Sequence, residues 1–411
     1  MKHFFEILRE FTILGLTSFG GPTAHVAFFR DRFVGVKKWL SESDFADLLA
    51  LCQFLPGPAS SQLGLSIGWR KGGLPGAIAA WIGFTLPSAI ALILFGIGVM
   101  AVSGGGFDAS GGWLRGLQIA VVTVIANAVV SMWKSLCPGR LHQFIALAAA
   151  SVMLLSSVAW MQLLVIALGA ILGLILFRKL VITEKADSTG RFPTGASDEP
   201  NPVRGLSGSR WFGVSCLVAF FALLFGLPLL VSSSQDNSIL AAFNAMFRSG
   251  SLVFGGGHVV LPLLSQEVVA PGWLTGEEFL AGYGAAQAVP GPLFTFSAYL
   301  GAIMDDVGGP WLMGSVCLVG IFLPAWLLVL GVMPFWSDLV KKPSLRAALI
   351  GTNAAVVGLL GAALYDPVWT KSITSTNDFV FLIGVAAVYF VAKWPVWLVV
   401  LLAGAAGWLF L

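Results

Sequence analysis

Two Pro-Gly-Pro tripeptides, Pro56-Gly57-Pro58 and Pro290-Gly291-Pro292, stand inside otherwise apolar stretches of the chain. Proline removes a backbone donor and clashes with the preceding turn, while glycine reaches dihedrals closed to other residues, so each tripeptide breaks a helix. Proline is also favoured at the first helical position, so helices are expected to restart at Pro58 and Pro292, with the next free N–H groups pointing into the break. Two glycine-rich runs, Phe19-Gly20-Gly21-Pro22 and Phe254-Gly255-Gly256-Gly257, do the same, with second arms expected near Thr23 and His258. A helix N-terminus carries about half a positive charge and unpaired donors. Four of them converging near mid-membrane suit a compact anion with oxygen acceptors on every side. Glycine and proline also serve close packing and kinks between membrane helices, but breaks duplicated in both halves favour a binding site.

Polar side chains near the breaks extend this candidate site. Gln53 and Gln287 each stand three residues before a Pro-Gly-Pro, and Gln62 follows Pro58 by four; each could contact a ligand or bond a neighbouring helix. Of four histidines, His25 and His258 fall beside the glycine-rich breaks, whereas His3 is terminal and His142 loop-like. An imidazolium would attract a dianion and titrates near physiological pH, although a membrane histidine is more often a hydrogen-bonded packing residue. Arg115 reads as either an interfacial, snorkelling cation or a cavity-facing one, with the interfacial reading favoured. Cys52, Cys137, Cys216 and Cys317 are far apart in apolar sequence and read as buried thiols, without metal or disulfide spacing. No Walker loop or HExxH occurs, so neither an enzyme nor an ATP-driven pump is expected, and no cofactor or metal site is read.

The elements that must position these residues follow from composition. Of 411 residues, 57% are hydrophobic and 10% charged, against about 25% charged in soluble domains. Stretches such as 72–107, 141–177 and 307–337 hold no Asp, Glu, Lys or Arg and exceed the roughly 20 residues that cross a bilayer. The fold class is an all-α polytopic membrane protein. The amino-terminal MKHFFEILREF is too charged to read as a cleaved signal peptide. A net charge of +3, scattered along the chain, excludes a nucleic-acid partner. Membrane lipid is the expected surrounding.

The chain also repeats itself. FGGPTAHVAFF (19–29), WLSESDF (39–45), QFLPGP (53–58) and GFTLP (83–87) return in order as FGGGHVVLPLL (254–264), GWLTGEEF (272–279), QAVPGP (287–292) and GIFLP (320–324). The offset is 235 for the first element, 234 for the next two and 237 for the last. A weaker match joins 114–122 to 349–357. Between the halves, 183–210 is polar and reads as a solvated cytoplasmic linker, and Trp211–Val231 as one extra crossing, assigned to 211–235. An odd crossing inverts the second copy. Arg30, Arg32, Lys37, Lys38, Arg70 and Lys71 in the first copy face Glu267, Glu277, Glu278, Asp305 and Asp306 at the matching places of the second. The positive-inside rule then predicts antiparallel copies, an inverted-topology repeat. If 1–10, 30–42 and 70–71 are all cytoplasmic, the FGGP and PGP segments are re-entrant hairpins, each arm about 12 residues or 18 Å long; two full spans are the alternative.

These residues resemble the long-chain, two-domain members of the chromate ion transporter family, over nearly the whole chain. The signature positions fall on Phe19, Gly20, Gly21, Pro22, His25, Gln53, Pro56, Gly57 and Pro58, and on Phe254, Gly255, Gly256, Gly257, Gln287, Pro290, Gly291 and Pro292. Pro22 corresponds to Gly257, so the two breaks need not be equivalent. The resemblance implies family domains at 1–182 and 236–411, chromate efflux from the bacterial cytoplasm across the inner membrane, and chromate resistance. Chromate and sulfate are similar tetrahedral dianions, so a sulfate or other oxyanion carrier is the same-class alternative; a membrane-embedded enzyme or assembly factor is the alternative of another class. A homodimer is compatible with this reading.

Overall fold

A computed structural model describes residues 2–102, 111–156, 161–178, 209–233, 238–254, 256–304, 308–339 and 342–411. Among them every regular element is a helix. The first half holds α1 (Lys2–Thr17), α2 (Gly21–Arg30), α3 (Glu42–Phe54), α4 (Ala59–Val102), α5 (Gly112–Leu136), α6 (Arg140–Leu155) and α7 (Met161–Leu176). After α8 (Arg210–Ser233) come α9 (Ser238–Ser251), α10 (Val260–Val268), α11 (Gly276–Ala288), α12 (Phe296–Ile303), α13 (Gly309–Val332), α14 (Pro343–Ala363), α15 (Thr376–Ala386) and α16 (Val396–Phe410). Five continuous helical runs of 24 to 43 residues are apolar enough to cross a bilayer, which makes this a multi-pass membrane protein. The extra crossing read from sequence is α8; most of the polar linker, 179–208, lies outside the described residues.

The helices pack in matched pairs. α1 lies along α4 as α9 lies along α13, and α5 packs on α16 as α14 packs on α7. The last two contacts join the halves. In one, Gly112 and Gly116 face Gly407 and Ala403; in the other, Ala347 and Gly351 face Gly169 and Gly173, so small residues let the backbones touch in both. Each residue of the first set stands 234 or 235 positions from its counterpart in the second.

Ion pairs show how the arms around each break run. Asp44 opens α3 inside a Ser41 capping box and pairs at 2.8 Å with Arg70, which closes the first segment of α4 before its bend at Gly72 and Gly73. The chain therefore leaves one end, breaks at 55–58 and returns to that end. Likewise Glu10 of α1, only 2% exposed, is held by Arg32 and Lys37 beyond α2, while Phe11 stacks on Phe33 at 4.8 Å. In the second half the capping box of Thr275 and Glu278 opens α11, and Tyr299 on α12 donates to the Glu278 carbonyl at 2.9 Å.

Candidate functional site

The helix interruptions fall where the glycines and prolines stand. Gly20 (φ 103°) precedes α2, Leu55 to Pro58 separate α3 from α4, and 289–292 separate α11 from a short 3-10 turn leading into α12. Two details differ from the sequence expectation. Pro58 and Pro292 sit just before the helical residues: the Pro58 carbonyl accepts the Gln62 N–H at 2.9 Å, and Pro292 is extended (φ −73°, ψ 131°). Proline's fixed φ is compatible with an extended cap as well as with the first turn, and here it serves as the cap. The arm after the first glycine run starts at Gly21 rather than Thr23, and His258 belongs to a 3-10 turn, Gly257–Val259.

Backbone bonds strap each Pro-Gly-Pro to the opposite half. Gly57 N–H donates to the Val253 carbonyl at 2.7 Å, just before the second glycine run. Gly291 N–H donates to the Ser18 carbonyl at 3.1 Å, just before the first. All four breaks are thus drawn together, and a Cβ on Gly257 would lie 3.3 Å from Pro22. Gly57 (φ 122°) and Gly291 (φ 100°) hold left-handed conformations that other residues reach only with strain. A Cβ on Gly57 would meet Gln62 Nε2 at 2.8 Å, and one on Gly291 would meet Ser88 Oγ at 2.9 Å and the Phe84 carbonyl at 3.2 Å.

A polar shell surrounds this knot on one side. Buried His25 lies with Nε2 3.2 Å from the Ser18 carbonyl and Nδ1 3.3 Å from Ser60 Oγ. A carbonyl only accepts, so Nε2 is assigned the proton, and Nδ1 accepts from Ser60. Gln62 Nε2 donates to the Pro56 carbonyl at 2.7 Å. Ser18 Oγ, Ser61 Oγ, Gln62 Oε1 and Thr85 Oγ1 are buried without a hydrogen-bond partner among the described residues. On the other side His258 Nδ1 lies 2.8 Å from the Tyr283 hydroxyl, and Gln287 Nε2 is buried without a hydrogen-bond partner among the described residues.

The candidate residues do not all join this cluster. Gln53 is exposed and makes no side-chain hydrogen bond among the described residues. Gly21 borders open space, a Cβ on Gly256 would lie 4.0 Å from Met132 Sδ, and Gly255 and the Thr23 side chain lie outside the described residues. Pro290 is half-buried in its turn. Arg115 forms an ion pair with buried Asp378 at 2.6 Å, away from the breaks, and the four cysteines are buried thiols. Sequence reasoning missed Ser18, Ser60, Ser61 and Thr85, small hydroxyls that the fold brings beside the breaks.

The Chromate transporter family profile matches residues 5–174 and 240–408. Among curated relatives, a chromate transport protein of Pseudomonas aeruginosa is 29% identical over 98% of this chain and 92% of its own. A chromate transport protein of Cupriavidus metallidurans is 26% identical over 87% and 81%, and a probable chromate transport protein of Synechococcus elongatus 25% over 98% and 95%. No solved structure matches.

Proposed function

The chain belongs to the chromate transporter family, and from that premise we propose that it is a secondary transporter carrying chromate out of the bacterial cytoplasm across the inner membrane. The observation that carries the site is the knot of four breaks, strapped by Gly57 and Gly291 and flanked by buried hydroxyls without partners. Unpaired buried donors cost about 1–3 kcal/mol each; a tetrahedral oxyanion would satisfy several at once. The relatives named for chromate transport support that ion as substrate. A negative-inside potential disfavours a dianion in the cytoplasm by about 2.3 kcal/mol per charge per 100 mV, so export needs no ATP.

The two halves form an inverted repeat in this reading, with the FGGP and PGP arms as re-entrant hairpins. The ion pairs support it: Glu10 on α1 meets Arg32, whereas Arg248 on α9 meets Glu267 at 3.4 Å, with the signs exchanged at corresponding elements. Cysteines at Lys38 and Trp273 are expected to label from opposite sides of the membrane, and labelling from one side would overturn the inversion. The transport reading is tested by chromate and sulfate fluxes in inside-out vesicles. Chromate uptake that sulfate inhibits is expected; no flux of either ion, with the protein present, would refute it.

A further inference from the structure

Between hairpin tips from opposite halves lies a cavity of about 700 Å³, lined in part by Gly20, Asn127, Tyr389, Lys393, Trp394 and Trp397. One tip is the break between α1 and α2. The other is the turn between α15 and α16, and α5 shows how far it reaches. At the start of α5, Arg115 binds Asp378 at the start of α15, while Gly112 packs on Gly407 near the end of α16. Twelve residues further, about 18 Å along a helix, Asn127 donates to the Tyr389 hydroxyl at 2.9 Å. The α15–α16 pair therefore begins and ends beside the start of α5 and turns beyond Asn127, about 18 Å along that helix.

Lys393 sits on that turn. It is exposed to the cavity, has no carboxylate partner among the described residues, and holds φ 56°. A left-handed lysine is uncommon, and Asn or Gly would adopt this turn more readily. Retaining a cation there, in a left-handed conformation and without a carboxylate partner among the described residues, needs a reason that packing does not supply. Gly20, on the same wall, is two residues from Ser18, whose carbonyl holds Gly291 and His25. The cavity thus adjoins the knot of breaks. The geometry points to an antechamber for the free oxyanion, in which Lys393 draws the dianion from solution and the Asn127 amide and the tryptophan indoles supply donors beside it. This assignment rests on the oxyanion-transport reading and adds a capture site outside the breaks.

The test uses the full chain in phosphatidylcholine vesicles, with Lys393→Asn chosen because asparagine accepts left-handed backbone. Charge focusing raises local ion concentration by about 10-fold or more, so Lys393→Asn is expected to raise the sulfate KM about tenfold with kcat little changed, and Lys393→Arg to recover most of the loss. Wild-type KM should climb with ionic strength and the Asn variant's should not. An unchanged KM and salt profile in a variant shown to insert would overturn the antechamber. So would a KM that instead follows the phosphatidylglycerol content of the vesicles through Lys393, because the cavity would then hold a lipid headgroup. Should wild type carry no oxyanion, the transport reading falls, and the cavity is decided separately by Trp394→Cys. The native cysteines are buried, so slower labelling of this cysteine in sulfate than in chloride upholds capture, and equal labelling refutes it. Sulfate is the probe because chromate oxidises thiols.

Discussion

The surroundings of the two Pro-Gly-Pro breaks share a backbone plan and differ in chemistry. At the offsets that align the halves, Ser18 answers to Val253, His25 to Val260, Ser60 to Phe294, Gln62 to Phe296, Thr85 to Phe322 and Ser88 to Ala325. Around Ser18 and His25 the shell is polar and four buried polar atoms lack partners among the described residues; the six aligned positions on the Val253 side are valine, phenylalanine and alanine, and the polar groups there are fewer: Thr295, His258, Tyr283 and Gln287. Breaks that only eased packing would be served by apolar residues in both places, since an unpartnered buried hydroxyl costs about 1–3 kcal/mol. The difference teaches that one backbone device has two uses. On the proposed transport reading, the Ser18 side meets the ion and the Val253 side braces the backbone.

The harshest way to break this comparison is to put a methyl group on each central glycine. Both hold a positive φ, which costs about 1–3 kcal/mol for other residues. Beyond that strain, the Gly57 methyl meets the end of the Gln62 side chain, which can turn away, whereas the Gly291 methyl meets Ser88 Oγ and the Phe84 backbone. Gly291→Ala is therefore expected to lower chromate flux about a hundredfold and Gly57→Ala about tenfold, at matched membrane levels. Normal flux in both variants would place the anion elsewhere.

A milder pair sharpens the contrast between the shells. Thr85→Val keeps shape and removes an unpartnered hydroxyl, so flux should drop about tenfold, the equivalent of one lost hydrogen bond to a charged group, while Tm holds or rises. Phe322→Leu, its counterpart, leaves a small void in the brace and should lower Tm with flux within about twofold. The reverse outcome would exchange the roles of the two sides.

His25 tests whether the polar shell moves protons. Both ring nitrogens are engaged by Ser18 and Ser60, and neutral imidazole satisfies both contacts. His25→Asn is expected to reduce flux about threefold through lost positioning and to leave the shape of the pH profile unchanged. A flattened profile would assign the proton to His25.

Sequence reasoning reached the breaks because glycine and proline alter the backbone wherever they stand, and it reached the helical class through long uncharged runs. It did not reach Ser18, Thr85 or Lys393. Serine and threonine are unremarkable in membrane helices, where each can bond its own preceding turn, as Ser66 does with the Gln62 carbonyl. Only the fold separates that local bond from a hydroxyl left free beside a break. Lys393 reads as an ordinary loop cation until the Asn127–Tyr389 contact shows how far along α5 its turn lies. The cross-straps were equally hidden, because a backbone N–H carries no residue label.

The smallest effect is expected at the glutamines, which sequence alone makes equivalent. Gln53 and Gln287 occupy the same place before their Pro-Gly-Pro elements, yet Gln53 is exposed, with no side-chain bond among the described residues, and Gln287 has its Nε2 buried without a partner. Removing Gln53 strands no partner and opens no void, so Gln53→Ala should change flux by less than about twofold. Gln287→Leu removes a buried, unpartnered donor that the proposed oxyanion would engage, a loss of about 1 kcal/mol and roughly a fivefold drop in flux. The double variant should match Gln287→Leu, because the two side chains share no partner and act independently. A strong Gln53 phenotype would mean that this side chain turns inward during the transport cycle, and the polar region would then extend across both arms of the first break.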